Sequence, residues 1–246
     1  MFRIDRSSKN PNLISVYTGD VCNLACTLCD PNASTRWQYE LGLQKSIKLE
    51  PELSFDGLDF TDAISVTIGG GEPVLNKSTL PLIQRINSNT TVFIHLNGTV
   101  LPTQRLLDEC TRFNNITFTL SIDDTEDRFE FLRYPAQWNQ VVNNIAWLKD
   151  NCPDNIRFSI NTVISVLNQD TYRDVEQWIE TNLPTNRAGK KTVCFTNESN
   201  GLLNRFNYPG QESFYVNFLD KLDQKRNTNW RKTFPLAVKL LDLKPG

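Results

Sequence analysis

The chain has 246 residues, 39 % of them hydrophobic and 22 % charged, with a formal net charge of −2. That is enough apolar side chain for a buried core, which excludes wholesale disorder, and the near-neutral balance excludes an electrostatic grip on nucleic acid or anionic lipid. No apolar run approaches the roughly 18 residues that cross a bilayer, and the opening stretch Met1 to Asn10 lacks the apolar centre of a signal peptide. The expectation is a cytoplasmic protein, in a reducing compartment where clustered cysteines bind metal or do chemistry.

In chain order, Leu13 to Tyr17 is short and β-prone and reads as a first strand feeding a cysteine-rich loop. Ser34 or Thr35 caps a helix through Trp37 and Leu41, and residues 48–62 read as connection. Ile64 to Ile68 is a second strand ending on glycines, followed by a helix from Ser78 to Ile86. Thr91 to Leu96 is a third strand, Thr103 to Arg112 a helix, and Ile116 to Ile122 a fourth strand. Asp123 to Asp150 is helical in two pieces split at Pro135, the second with Trp138, Val141, Val142, Ile145 and Leu148 on one face. Ile156 to Val166 is a fifth strand, Tyr172 to Thr181 a helix, and Thr192 to Phe195 a sixth strand.

Strands alternating with helices imply a parallel sheet with right-handed crossovers. Six units are too few for a closed eight-fold barrel. The expected fold is α/β: a partial (β/α)6 barrel of parallel strands over 13–196, open on one side, with a doubly wound flat sheet as the competing shape. Residues 1–12 form an N-terminal extension. Residues 197–246 form a C-terminal helical tail, polar at first and then apolar around 214–224 and 233–243, whose aromatic residues are expected to cover the open barrel edge.

Three of the six cysteines, Cys22, Cys26 and Cys29, fall within eight residues as C-x3-C-x2-C. Such a triplet holds a metal or a redox pair. A structural zinc site needs a fourth ligand, and the single histidine, His95, with the isolated Cys110, Cys152 and Cys194, leaves few ways to supply one. An iron–sulfur cube can be held by three cysteines with one iron left open, so a zinc or redox knuckle and an iron–sulfur site both stand. A second motif, Gly70-Gly71-Glu72-Pro73, ends the second predicted strand on the same side of the sheet as the cysteine loop. Ligands in parallel α/β folds bind at the carboxyl ends of strands, where glycines admit close backbone approach and Glu72 offers a carboxylate suited to an ammonium group. By itself this motif is also compatible with a plain strand-to-helix turn.

The two motifs together resemble those of the radical S-adenosylmethionine (radical SAM) superfamily. The resemblance covers about residues 12–196 and extends to His95-Leu96-Asn97-Gly98-Thr99 and Leu120-Ser121-Ile122-Asp123 at the third and fourth strands. The run Arg133 to Leu148 with Ile160-Asn161-Thr162-Val163 is similar to members with SPASM or Twitch extensions. The resemblance implies a [4Fe–4S] cluster on Cys22, Cys26 and Cys29 whose open iron chelates S-adenosylmethionine. Reduction by a low-potential donor such as flavodoxin or ferredoxin then yields methionine and a 5'-deoxyadenosyl radical, which takes a hydrogen atom from substrate. It further implies Glu72 and the Gly70/Gly71 backbone at the methionyl amino group, and Ser121, Asp123 and Asn161 at the ribose or carboxylate. Arg133 is assigned to the cofactor carboxylate, Asn97 to the pocket lining, and Leu28, where the family commonly has an aromatic residue, to the adenine edge. With no cysteine after Cys194, a single cluster is expected. The implied substrate is a peptide or protein; a glycyl-radical activase, a nucleotide or carbohydrate enzyme, and a metal-stapled interaction module are the alternatives.

Overall fold

The computed structural model describes residues 12–43, 55–183, 192–195 and 212–241, with the side chains of 192–195, 212–215 and 239–241 left out of the description. The predicted N-terminal extension before residue 12, residues 48–54 of the predicted connection and the polar stretch 197–210 lie outside the described residues. Six strands form one sheet in the order β1-β2-β3-β4-β5-β6. They are Leu13–Tyr17 (β1), Ser65–Gly69 (β2), Thr91–Leu96 (β3), Ile116–Ser121 (β4), Ile156–Ile164 (β5) and Thr192–Phe195 (β6). Every pairing is parallel and between strands consecutive in sequence. No pairing joins β1 to β6 among the described residues, so the sheet is a barrel wall left open, as expected.

Helices on the chain between strands are Thr35–Glu40 (α1), Thr79–Arg85 (α2), Gln104–Cys110 (α3), Glu126–Leu132 (α4), Trp138–Asn151 (α5) and Tyr172–Asn182 (α6); Glu212–Arg226 (α7), Trp230–Thr233 (α8) and Pro235–Leu241 (α9) follow the sheet. The Ser34 hydroxyl accepts from the backbone N–H groups of Arg36 and Trp37 and so caps α1, a contribution of about 1 kcal/mol. In α5 the buried Trp138, Val141, Ile145 and Leu148 recur at three- and four-residue spacing, the stripe a helix needs to lie on a sheet.

One face of the sheet is apolar and the other is not. Val66, Ile68, Val92, Ile94, Ile116, Phe118, Leu120, Phe158 and Ile160 are buried in one core with Leu82 and Ile83 of α2, Leu106 and Leu107 of α3, and Val141, Ile145 and Leu148 of α5. The alternate positions include Thr67, His95, Thr119, Ser121, Ser159 and Asn161, with Phe93 as an aromatic member of the same face. His95 sits opposite Thr119, Thr119 opposite Ser159, and Ser121 opposite Asn161. A parallel sheet covered on both faces reads as continuous hydrophobic runs. This alternation marks an inner wall meant for something polar.

The tail packs differently from the expectation of an edge cover. Trp230 and Phe234 are buried against Phe131 and Leu132 of α4 and against Leu167, with the Phe131 and Phe234 rings edge to face at 5.3 Å. Leu222 of α7 packs on Ala25 of the cysteine loop and on Trp37. These rows of apolar side chains fit α4 and the cysteine loop because those elements offer the unfilled apolar surface. Phe206, Tyr208, Phe214 and Tyr215 lie outside the described side chains.

Candidate functional site

The cysteine loop leaves β1 at its carboxyl end and is bolted to two neighbours. Ala25 N–H donates to Tyr134 O at 2.7 Å, Thr27 N–H to Leu132 O at 2.7 Å, and the Thr27 hydroxyl to Phe131 O at 2.9 Å. On the other side, Trp37 Nε1–H donates to Cys26 O at 2.8 Å, and the Thr35 hydroxyl exchanges bonds with the N–H and C=O of Cys22 at 3.1 Å. Three further backbone bonds (Cys29 N to Cys26 O, Gly71 N to Gly19 O, Glu72 N to Val21 O) pin the loop to itself and to the end of β2.

The glycines serve that junction. Gly70 has φ +140°, where an L side chain is strained, and a Cβ there would stand 2.7 Å from Gly19 O. A Cβ on Gly71 would overlap the Val21 carbonyl and stand 2.7 Å from Asp20 O. The close approach expected of these glycines is therefore an approach of chain to chain, which brings Glu72 and the cysteine loop together.

Cys22 and Cys26 are each 6 % exposed and Cys29 is partly exposed. Cys22, Cys26 and Cys29 form no disulfide. Burial, with Cys26 beside it, pushes the Cys22 thiol up to about 12. Cys26 is also held well above its ordinary value, first by the hydrogen bond it donates to Cys29 and then by burial, and Cys29 is lowered by accepting that bond. Only thiolates ligate, so metal binding displaces the protons of these thiols. Among the described residues no three His, Cys, Asp or Glu side chains gather around a single-ion position. The three thiols share one loop, with Cys26 and Cys29 in hydrogen-bond contact and Cys22 beside Cys26.

Glu72 is 1 % exposed. Its Oε2 accepts from Asn97 N–H at 2.6 Å and its Oε1 from Val74 N–H at 3.3 Å, leaving acceptor capacity on both oxygens. Burial raises its pKa to about 7, against the lowering effect of those two donors and of Arg133. Asn97 is buried, with its amide committed to Asn23 Oδ1 at 2.9 Å and to the N–H and hydroxyl of Thr99. Asn23 in turn donates to the Thr99 hydroxyl at 2.8 Å, closing a three-residue net between the cysteine loop and the end of β3.

Asp123 and Arg133, expected at a cofactor, meet each other. Arg133 Nε lies 2.9 Å from Asp123 Oδ2 in an ion pair, both side chains nearly buried. Burial works against the Arg133 charge, but Asp123, Cys26 and Cys29 more than offset it and raise its pKa. Asp123 Oδ1 also accepts from Val163 N–H at 2.9 Å, and Asn168, fully buried, holds the Asp123 carbonyl at 2.7 Å. Ser121, the last residue of β4, stands in register beside Asn161, which lies within β5. Leu28 is partly buried against the cluster that α4 forms with the tail. Asn23, Thr27 and Asn168 carry no motif of their own, and each has a partner far away in sequence.

A family model described as "Radical SAM superfamily" matches residues 16–181. The chain belongs to the radical SAM superfamily. That is a family of enzymes, and its cofactors are a [4Fe–4S] cluster and S-adenosylmethionine. No curated protein matches the chain. Among solved structures it is similar to Streptococcus suis SuiB bound to S-adenosylmethionine, at 15 % identity and TM-score 0.53, covering 89 % of this chain and 46 % of SuiB. SuiB alone matches at 16 % identity and TM-score 0.55, and SuiB bound to its precursor peptide SuiA at 16 % and 0.54, each covering 89 % of this chain and 48 % of SuiB. At such identity the likeness concerns the fold, and the chain spans about half the length of these structures. The donor set fits the family's cluster: three buried or half-buried thiols on one loop, a carboxylate with spare acceptor sites beside them, and a nearly buried guanidinium paired with Asp123.

Proposed function

We propose that Cys22, Cys26 and Cys29 hold the cluster and that the protein abstracts a hydrogen atom from a peptide or protein substrate. When bound, the cofactors supply an electron and a 5'-deoxyadenosyl radical made from S-adenosylmethionine. The residues of this chain orient and exclude. Glu72 receives the methionyl ammonium, and its buried carboxyl ionises as that charge arrives. Gly70 and Gly71 let β2 end against the loop, so that Glu72 and the thiols face one ligand. Arg133 meets the carboxylate, and Asp123 keeps it charged and aimed. Ser121 and Asn161 serve the ribose, Asn97 lines the pocket with its backbone facing Glu72, and Leu28 gives the adenine an apolar edge.

The observation that carries the substrate reading is the polar inner wall of an open sheet. His95, Thr119 and Ser159 form a row of hydrogen-bonding groups there, with Thr119 and Ser159 hydroxyls 2.9 Å apart. Burial lowers the His95 pKa, so the imidazole is neutral and offers one donor and one acceptor. An open side and a polar wall suit a peptide backbone, and SuiB, whose fold this chain shares, was crystallised with a precursor peptide. We place the protein in a reducing compartment such as the cytoplasm, with a flavodoxin or ferredoxin as electron donor; among the described residues no helix is long and apolar enough to cross a membrane.

Anaerobic reconstitution tests the core of this reading. About four irons per chain are expected to bind, and dithionite is expected to release 5'-deoxyadenosine from S-adenosylmethionine. Zinc as the sole bound metal, with no such product, refutes it. Deuterium transfer from labelled peptides into 5'-deoxyadenosine tests the substrate class, and transfer from labelled sugars or nucleotides alone would refute a peptide.

A further inference from the structure

Arg226, the last residue of α7, is 8 % exposed and reaches the cysteine loop from 201 positions away in sequence. Its Nη2–H donates to the carbonyl of Ala25 at 2.8 Å, and Ala25 is the residue that precedes Cys26. The Ala25 N–H is already tied to Tyr134 O, so both sides of this fully buried residue are fixed. The guanidinium lies between two aromatic rings, 4.9 Å from the centre of Trp37 and 4.3 Å from that of Tyr134. Trp37 is the side chain that donates to the Cys26 carbonyl. One carboxylate, Glu40, meets Arg226 at 3.1 Å, and that carboxylate is shared with Arg36. Nε and Nη1 of Arg226 are buried without an acceptor. Burial lowers its pKa, against the raising effect of Glu40.

A buried cation with one shared counter-ion, set against the backbone of a ligand loop, lacks an anion. A four-iron cube on three thiolates is a net anion, and its negative charge grows on reduction. We propose that Arg226 is a positioning residue for the cluster, clamping the peptide beside Cys26 and placing a positive charge that favours the reduced state. This rests on the reading that Cys22, Cys26 and Cys29 hold the cluster. The electron comes from an external low-potential donor; Arg226 neither gains nor loses one. α7 thereby couples the tail to the electron-accepting step, through a contact that no local motif announces.

The test is an EPR-monitored redox titration of reconstituted full-length protein, with titanium(III) citrate as reductant, on wild type, Arg226→Lys, Arg226→Gln and Glu40→Gln. A buried unit charge beside a ligand residue changes such an equilibrium by about tenfold. Arg226→Gln is therefore expected to make the cluster harder to reduce by about tenfold, a fall of about 59 mV for a one-electron couple. Glu40→Gln, which removes the neutralising charge, moves the potential up, and Arg226→Lys stays close to wild type. Unchanged potentials in both neutralised variants, or shifts of the opposite sign, overturn the proposal. Should Arg226→Gln fail to retain iron, Glu40→Gln decides alone: an upward shift supports the proposal and no shift overturns it. Failure of the wild type itself to load about four irons strikes the ligand reading instead and is distinguished by that count.

Discussion

Glu72→Gln in the iron-free protein isolates what burial does to one carboxylate. Glu72 is 1 % exposed, and its pKa stands at about 7 in place of an ordinary 4.5. Between those two values the folded state keeps a proton that the unfolded chain has already released. Stability is therefore greatest below pH 4.5, falls as pH rises towards 7, and is level above it, where both states are ionised. Each tenfold change in a protonation equilibrium is worth about 1.4 kcal/mol, which sets the whole loss at about 3 kcal/mol. Glutamine does not titrate, so this slope disappears in the variant. Its amide nitrogen must face the N–H of Asn97 or of Val74, a cost of about 1–3 kcal/mol that does not depend on pH. Urea unfolding of both proteins across the window measures the difference in stability. The expected result is a difference that moves by about 3 kcal/mol towards the variant as pH rises. A constant difference would refute the argument that burial holds the proton. Movement towards wild type would mean that the Asn97 and Val74 donors outweigh burial.

Three further perturbations probe the junction. Cys26→Ala is expected to abolish the charge-transfer absorption of the reconstituted cluster and to cut bound iron from about four per chain, measured by a chelator assay. Gly71→Ala sets a methyl group into the Val21 and Asp20 carbonyls, which are backbone and cannot swing aside, and should destabilise the protein by about 1–3 kcal/mol in urea unfolding; a neutral result would mean that the loop is free to move. Asp123→Asn keeps an acceptor for Val163 N–H but leaves Arg133 buried without its counter-charge, an expected loss of about 3–5 kcal/mol by denaturant titration. The double variant Asp123→Asn/Arg133→Met should recover much of that loss, which a purely steric role for Asp123 would not allow.

The strands were legible because each carries its own pattern. Leu13–Tyr17, Thr91–Leu96 and Thr192–Phe195 have the predicted boundaries, and the others differ by a residue or two at their ends, where pairing partners decide the last bond. The polar half of the alternation was also present in the sequence, as Thr119, Ser121, Ser159 and Asn161, but only registry showed that these residues line one wall. Arg133 and Asp123 each carried a motif-based role towards a ligand; their mutual contact was hidden because a helix and a turn separate them.

Within a few residues, the sequence by itself determined the cysteine spacing, the glycines ahead of Glu72, the Ser34 cap and the rhythm of strand and helix, since each depends on neighbours along the chain. Tertiary structure alone decided where the chain comes back. Thr27 meets Phe131 across 104 positions, and Arg226 meets Ala25 across 201. Such pairs have no local signature, because a hydrogen bond between distant residues depends on how every intervening element packs. The three cysteines are a motif in one dimension; in three they become a loop gripped by the end of β2, by α1, by the turn after α4 and by the last residue of α7.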